Sequence, residues 1–304
     1  KKRLRNFFVF FLLLNAWIAL RFYLADRAGT ATIHGSKSGD ATIGFLSNAD
    51  DLGLGMVVAL PLALIPIFYV QNKLVKILCT FISGLFMLSA LVTGSRGSHI
   101  GIFAVFIASI ISQFKIKKLK KNGFAYGMMI VLILLVGFTF KYRFTLQESY
   151  DSMFVDDDSG KIGRMATWDA AKNMIKDSPL VGIGRGNFVS YWQENYSAGV
   201  YGYQVAHNIL YEVAAEIGIL GLICFLLFSL SGLRQLQKMH KRYKKELDKH
   251  RFIEMIFTIY FIGLIGFFLN GMFITVAFYW HIYVLVALFV SARNVFLKEV
   301  NDEP

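Results

Sequence analysis

The chain has 304 residues, 56% hydrophobic, 15% aromatic and only 17% charged, with a mean hydropathy of +0.52. Water-soluble domains carry about 45–50% apolar and about 25% charged residues, so soluble enzyme folds are excluded. The 29 Phe against four Pro exclude a disordered or collagen-like chain, and the net charge of +12 has to be located before it is given a meaning.

Eight apolar stretches are long enough to cross a bilayer, which takes roughly 17–25 residues. They are 7–24, 52–70, 74–92, 98–114, 123–140, 207–230, 252–269 and 272–292. With the basic start (Lys1, Lys2, Arg3, Arg5) taken as cytoplasmic, segments on that side carry 21 of the 32 Lys and Arg, Lys76 counted among them. Segments on the far side carry 10 basic and 12 acidic residues. That partition is the positive-inside pattern, with both termini in the cytosol and no nucleic-acid partner implied. The expected fold is an all-α integral membrane protein, a polytopic helical bundle of about eight spans with one large extracytoplasmic loop. Three regions follow: 1–140 with the first five transmembrane helices, 141–206 as the large loop, and 207–304 with the last three helices and a cytosolic tail.

In chain order, the first span is too long for a cleavable signal peptide, and no small-residue cleavage site follows Leu24. The chain begins with Lys, so an N-terminal truncation that removed further spans is expected. Segment 25–51 is rich in Gly, Ser and Thr and ends in Asn48-Ala49-Asp50-Asp51, residues suited to capping the next helix. Cys79 and Cys224 fall inside spans and imply no disulfide or metal framework. Arg96 sits in the far-side turn Thr93-Gly94-Ser95-Arg96-Gly97-Ser98. It reads either as a snorkelling interfacial arginine or as a site residue, since the small neighbours clear space around its guanidinium.

The loop 141–206 is longer than ordinary connections, and Trp168, Phe188, Trp192 and several Tyr argue for a folded unit. Trp168, Ala171 and Ile175 stand at helical spacing, which predicts a short amphipathic helix over 167–175, ended by Pro179. Gly182-Ile183-Gly184-Arg185-Gly186 lacks the preceding strand of a dinucleotide loop. It is expected instead to cradle an anion on backbone N–H groups beside Arg185. Asp156-Asp157-Asp158 lacks calcium-loop spacing and reads as a solvated acidic turn. His207 and Asn208 open the sixth span, and Glu212 and Glu216 follow within it. Carboxylates inside a membrane helix are expensive and mark function or ion pairing. Gly218 and Gly221 then offer a small-residue face for helix packing.

These residues carry a family resemblance. His207-Asn208, nine intervening residues and Gly218-Ile219-Leu220-Gly221 resemble the signature of bacterial O-antigen ligases and their polymerase relatives. Arg164-Met165-Ala166-Thr167-Trp168 with Pro179 to Phe188 resembles the family's large periplasmic loop. Ser95-Arg96-Gly97 resembles its turn between spans, and Asn48-Ala49-Asp50-Asp51-Leu52 its loop entering a span. The resemblance runs from about Asn48 to Ala292; family members usually have more spans than eight.

The resemblance implies a multi-pass glycosyltransferase of the bacterial cytoplasmic (inner) membrane with its active site on the extracytoplasmic face, using no metal and no cofactor. The implied donor is a glycan on undecaprenyl diphosphate, and the acceptor is a sugar hydroxyl on lipid A-core or on a growing chain. Ligation and polymerisation share that donor and differ in acceptor. A transporter of the same lipid-linked glycan and a scaffold in a secretion complex are the rival readings. Arginine suits bidentate phosphate recognition, and histidine, with a reference pKa near 6.5, suits proton abstraction. The expected catalytic residues are therefore His207, Arg164 and Arg96, with Arg185, Asn208 and Glu216 binding substrate, Glu216 as the family acid that orients an arginine or His207.

Overall fold

The computed structural model describes residues 1–27, 49–93, 95–115, 130, 164–195, 204–275 and 277–302. Every regular element among them is helical. The helices are α1 (Lys2–Arg27), α2 (Ala49–Leu64), α3 (Pro66–Tyr69), α4 (Lys73–Val92), α5 (Arg96–Lys115), α6 (Arg164–Asp177), α7 (Phe188–Asn195), α8 (Ile209–Arg242), α9 (Lys244–Lys249), α10 (Arg251–Gly271) and α11 (Trp280–Asn301). Among the described residues six spans are long and apolar enough to cross a membrane, and α5 adds a shorter apolar stretch, Gly97–Gln113. The expected span 123–140, the acidic turn 156–158 and most of 25–51 lie outside the described residues.

The chain divides into two compact units. The first comprises Lys1–Thr139, Ser231–Asn270 and Trp280–Pro304. Its centre is α2 with α3, where Leu54, Leu60, Leu62, Leu64 and Ile65 have no exposed surface. Asp50 and Asp51 lie in the first turn of α2, as the N-terminal end of a helix favours. Small residues let neighbours approach: Gly53 faces Ser98 of α5, and Gly55 faces the His281 ring of α11, where a Cβ would stand 2.8 Å from Nε2. α1 packs on α2 and α4. It buries Phe8, Phe11, Ile18 and Phe22 at helical spacing, while Phe10, Leu13 and Trp17 face outward. Phe81 of α4 is 79% exposed. A side chain that size would be anomalous against water and is at home against acyl chains.

The second unit comprises Phe140–Leu230 and Gly271–Tyr279. Its core is built from Ala170, Ala171 and Met174 of α6, Phe188 and Trp192 of α7, Ala206, and Ala215 of α8. The expected helix over 167–175 is α6, three residues longer at its start and two at its end. Trp168 lies at the edge of that core, its ring 5.9 Å from Tyr211. Lys172 bonds Asp169 at 2.9 Å across one turn, and that bond holds its ammonium above the ordinary range.

Two expectations are corrected. The last span begins at Trp280, not at residue 272: the apolar residues from Met272 onward form a connection that belongs to the second unit. Gly218 does not serve a straight packing face. It interrupts α8 with φ 72° and ψ −179°, a region open essentially to glycine alone.

Candidate active site at the mouth of α8

The start of α8 is fixed by its own residues. Asn208 is the N-cap: its Oδ1 accepts from the backbone N–H of Leu210 at 2.9 Å and of Tyr211 at 3.2 Å, satisfying two donors that no helical carbonyl can reach. Its Nδ2 donates to the Met272 carbonyl at 3.3 Å. One amide thus caps the helix and ties down the connection between α10 and α11.

His207 precedes this cap with φ 48°, the only non-glycine with positive φ among the described residues. Such a backbone costs on the order of 1–3 kcal/mol and persists only where its surroundings over-determine it. The surroundings here include Thr275, whose Oγ1 accepts the His207 N–H at 2.8 Å. Further along, Glu212 Oε2 accepts the Ala277 N–H at 3.0 Å. Three hydrogen bonds from 207–212 therefore hold the 272–279 connection against the helix mouth. On that connection the Phe278 ring carries the exposed Arg185 guanidinium 4.4 Å from its centroid, a cation–π contact.

Below the mouth, the break in α8 is filled by the large loop. The carbonyls of Ala215 and Glu216 accept the N–H groups of Ile183 and Gly184, each at 2.9 Å. On the other side of Gly218, Ile219 N–H donates to the Pro179 carbonyl at 2.9 Å and Leu220 N–H to the Leu180 carbonyl at 3.4 Å. Backbone groups released by the break are thus paired by a second strand of chain. The approach is close: a Cβ on Gly182 would meet the backbone of Glu216 and Gly218, and one on Gly218 the backbone of Leu180 and Val181.

This splice corrects the anion-cradle expectation for the glycine turn. Gly182, Gly184 and Gly186 do have positive φ, at 71°, 97° and 80°. Yet the N–H groups of Gly182, Ile183 and Gly184 are bonded to the carbonyls of Ser178, Ala215 and Glu216. Arg185 remains as the cationic feature of the turn. Glu216 Oε1 accepts the Phe188 N–H at 3.4 Å, placing a carboxylate at the start of α7.

The expected residues thus fall into groups. His207, Asn208 and Arg185 all meet the 272–279 connection. Glu216 lies at the splice, 6% exposed. Arg164 opens α6 in the second unit and Arg96 opens α5 in the first; their guanidinium groups lie outside the described residues. Sequence reasoning missed Thr275 and Phe278, because the stretch that carries them passes for the start of a span. The signal available was a hydroxyl within that apolar run, Thr275, and a glycine just before it, Gly271. Among the described residues no three of His, Cys, Asp and Glu come together.

The O-antigen ligase family model matches residues 79–226, which takes in Arg96, the large loop, His207 and the break at Gly218. Comparison with curated proteins finds no match.

Proposed function

We propose, from the match of residues 79–226 to the O-antigen ligase family model, that the chain transfers a glycan from undecaprenyl diphosphate to an acceptor sugar hydroxyl on the extracytoplasmic face of the bacterial inner membrane. The observation that carries the reading is His207, a non-glycine held at φ 48° by Thr275 on the connection that also receives Arg185. Strained backbone that its neighbours over-determine gathers where a side chain must be aimed.

In this reading the acceptor hydroxyl gives its proton to the His207 imidazole as its oxygen attacks the donor's anomeric carbon. The bond from that carbon to the diphosphate oxygen breaks, and the lipid diphosphate leaves with the electron pair. A diphosphate is a good leaving group without a proton, so the task left is to stabilise its charge. Arg96 and Arg164 take that role. Each opens a helix whose first turn contains no acid, so the positive end of the helix dipole adds to the guanidinium. Arg185, over Phe278, binds the glycan, and Asn208 and Glu216 act as positioning residues for His207 and for α7. No metal enters these steps.

Polymerisation keeps every role and changes only the acceptor, from lipid A-core to a growing chain. The broken α8 favours a second reading, since transporters build substrate sites from discontinuous helices. Against it, the groups released at Gly218 are already bonded to residues 179–184.

The test measures donor binding and transfer separately, with purified protein and lipid-linked donor. His207→Ala is expected to retain donor binding and lose transfer by about 10²–10⁴-fold. Arg164→Lys is expected to lose donor binding despite its charge, because an ammonium cannot reproduce the bidentate fork. The reverse pattern would exchange the roles, and transfer unaffected by either change would refute the reading.

A further inference from the structure

Leu180 and Val181 are 62% and 69% exposed, two adjacent aliphatic side chains at the tip of a turn. Exposed Pro179 adjoins them, and Lys176, Asp177, Arg185, Asn187 and Glu194 are exposed polar positions of the same unit, in which Met165 is exposed as well. The turn is not a swinging loop. Backbone bonds to Ala215, Glu216, Ile219 and Leu220 fix it beside the break in α8.

From that break downward α8 presents more exposed apolar surface: Ile219 39%, Leu220 54%, Ile223 48% and Leu227 59%. Ile219, Ile223 and Leu227 recur every four residues, a single stripe along the helix. The stripe lies in the uncharged run between Glu216 and Arg234, which has 17 residues. At 1.5 Å per residue that run covers about 26 Å, close to the roughly 30 Å of a hydrocarbon core. The full helix of 34 residues would cover about 51 Å and is far too long to lie inside the bilayer. The turn therefore sits where the lipid-facing stripe begins and continues it sideways.

We infer that the Pro179–Val181 turn is a membrane-inserted element: Leu180 and Val181 enter the outer leaflet, and the hydrocarbon boundary on α8 falls at Gly218. Glu212 and Glu216 then stand on the aqueous side of that boundary, in a half-helix bonded to the external unit. Both stay buried in protein, each 6% exposed, with carboxylates that accept the Ala277 and Phe188 N–H groups, so they are held by the external unit rather than by hydrocarbon, which revises the intramembrane position that the sequence suggests. The occupant is lipid, because the surface is continuous with the face α8 shows to acyl chains.

Spin labels on single cysteines test this in the full chain, with Cys79 and Cys224 replaced by Ser, in vesicles of phosphatidylethanolamine and phosphatidylglycerol. Labels at 180, 181 and 220 are expected to collide more with oxygen than with a water-soluble nickel chelate. Labels at 176 and 194 are expected to show the opposite order. Nickel access at 180 and 181 equal to that at 176 would overturn the inference, and so would exclusion of both reagents there, which would mean that protein covers the turn. The readout is depth rather than transfer, so its failure is distinguishable from failure of the glycosyltransferase reading.

Discussion

At the scale of single residues, the site depends on backbone groups more than its side-chain motif suggests. The His207 N–H, turned by a positive φ, has Thr275 Oγ1 as acceptor on the connection between α10 and α11. Thr275→Val keeps the shape and removes that acceptor, leaving a part-buried donor unmet, at a cost of about 1–3 kcal/mol. Transfer is expected to fall at least tenfold, with a lowered unfolding temperature, while Thr275→Ser keeps both near wild type. Steady-state transfer and thermal unfolding in the same detergent measure the two effects together. A Val variant with full activity would show that the hydroxyl does not aim His207. Asn208 has a parallel duty, since its amide serves the helix end through oxygen and the Met272 carbonyl through nitrogen. Asn208→Ala removes both, and the cap alone is worth about 1 kcal/mol.

At the scale of elements, the splice between the large loop and α8 rests on two glycines, each pressed against the backbone of the opposing segment. Gly218→Ala and Gly182→Ala each add a Cβ where only main-chain atoms stand, at backbone angles that disfavour a side chain. Each is expected to destabilise by about 3 kcal/mol or more, read as loss of folded protein in thermal unfolding. Gly186 is the internal control. It shares the positive φ, at 80°, but has nothing within 4 Å of its missing Cβ, so Gly186→Ala is expected to lose only about 1 kcal/mol. Equal losses at all three positions would mean that conformation, not contact, sets the effect. The same elements show what composition conveys. Apolar runs foretold α1, α2 with α3, α4, α5 and α10, because burial in lipid needs only hydrophobicity and length. They misjudged the 272–279 connection, where Ile274 and Ala277 are buried although the described residues form turns rather than helix. Gly218 was visible, but Gly-Ile-Leu-Gly fits a packing face as well as a break, and only the carbonyls of Pro179 and Leu180 decide between them. His207 stands out in the sequence as a candidate; its hydrogen-bond partner Thr275, 68 residues away, does not.

At the scale of the whole molecule, the distribution of charge and one ion cluster bear on how the chain threads the membrane. Lys1 Nζ and His250 Nδ1 both reach Glu299 Oε2, at 2.9 and 3.0 Å. The start of the chain, the link after α9 and the end of α11 therefore lie together, as expected of segments assigned to the side that carries 21 of the 32 basic residues. That agreement constrains parity. Between Lys1 and His250 the described crossings are α1, α2 with α3, α4, α5 and α8, an odd number that would leave the two residues on opposite faces. The apolar stretch 123–140 is expected to supply the sixth crossing and put the large loop outside. With Cys79 and Cys224 replaced by Ser, a cysteine at Glu194 in α7 should react with an impermeant maleimide on intact cells. One at Lys244 should react only after the membrane is opened. Both side chains are exposed, so a failure to react reports the membrane and not local burial. Labelling of both positions from outside would remove the sixth crossing and with it the extracytoplasmic placement of His207.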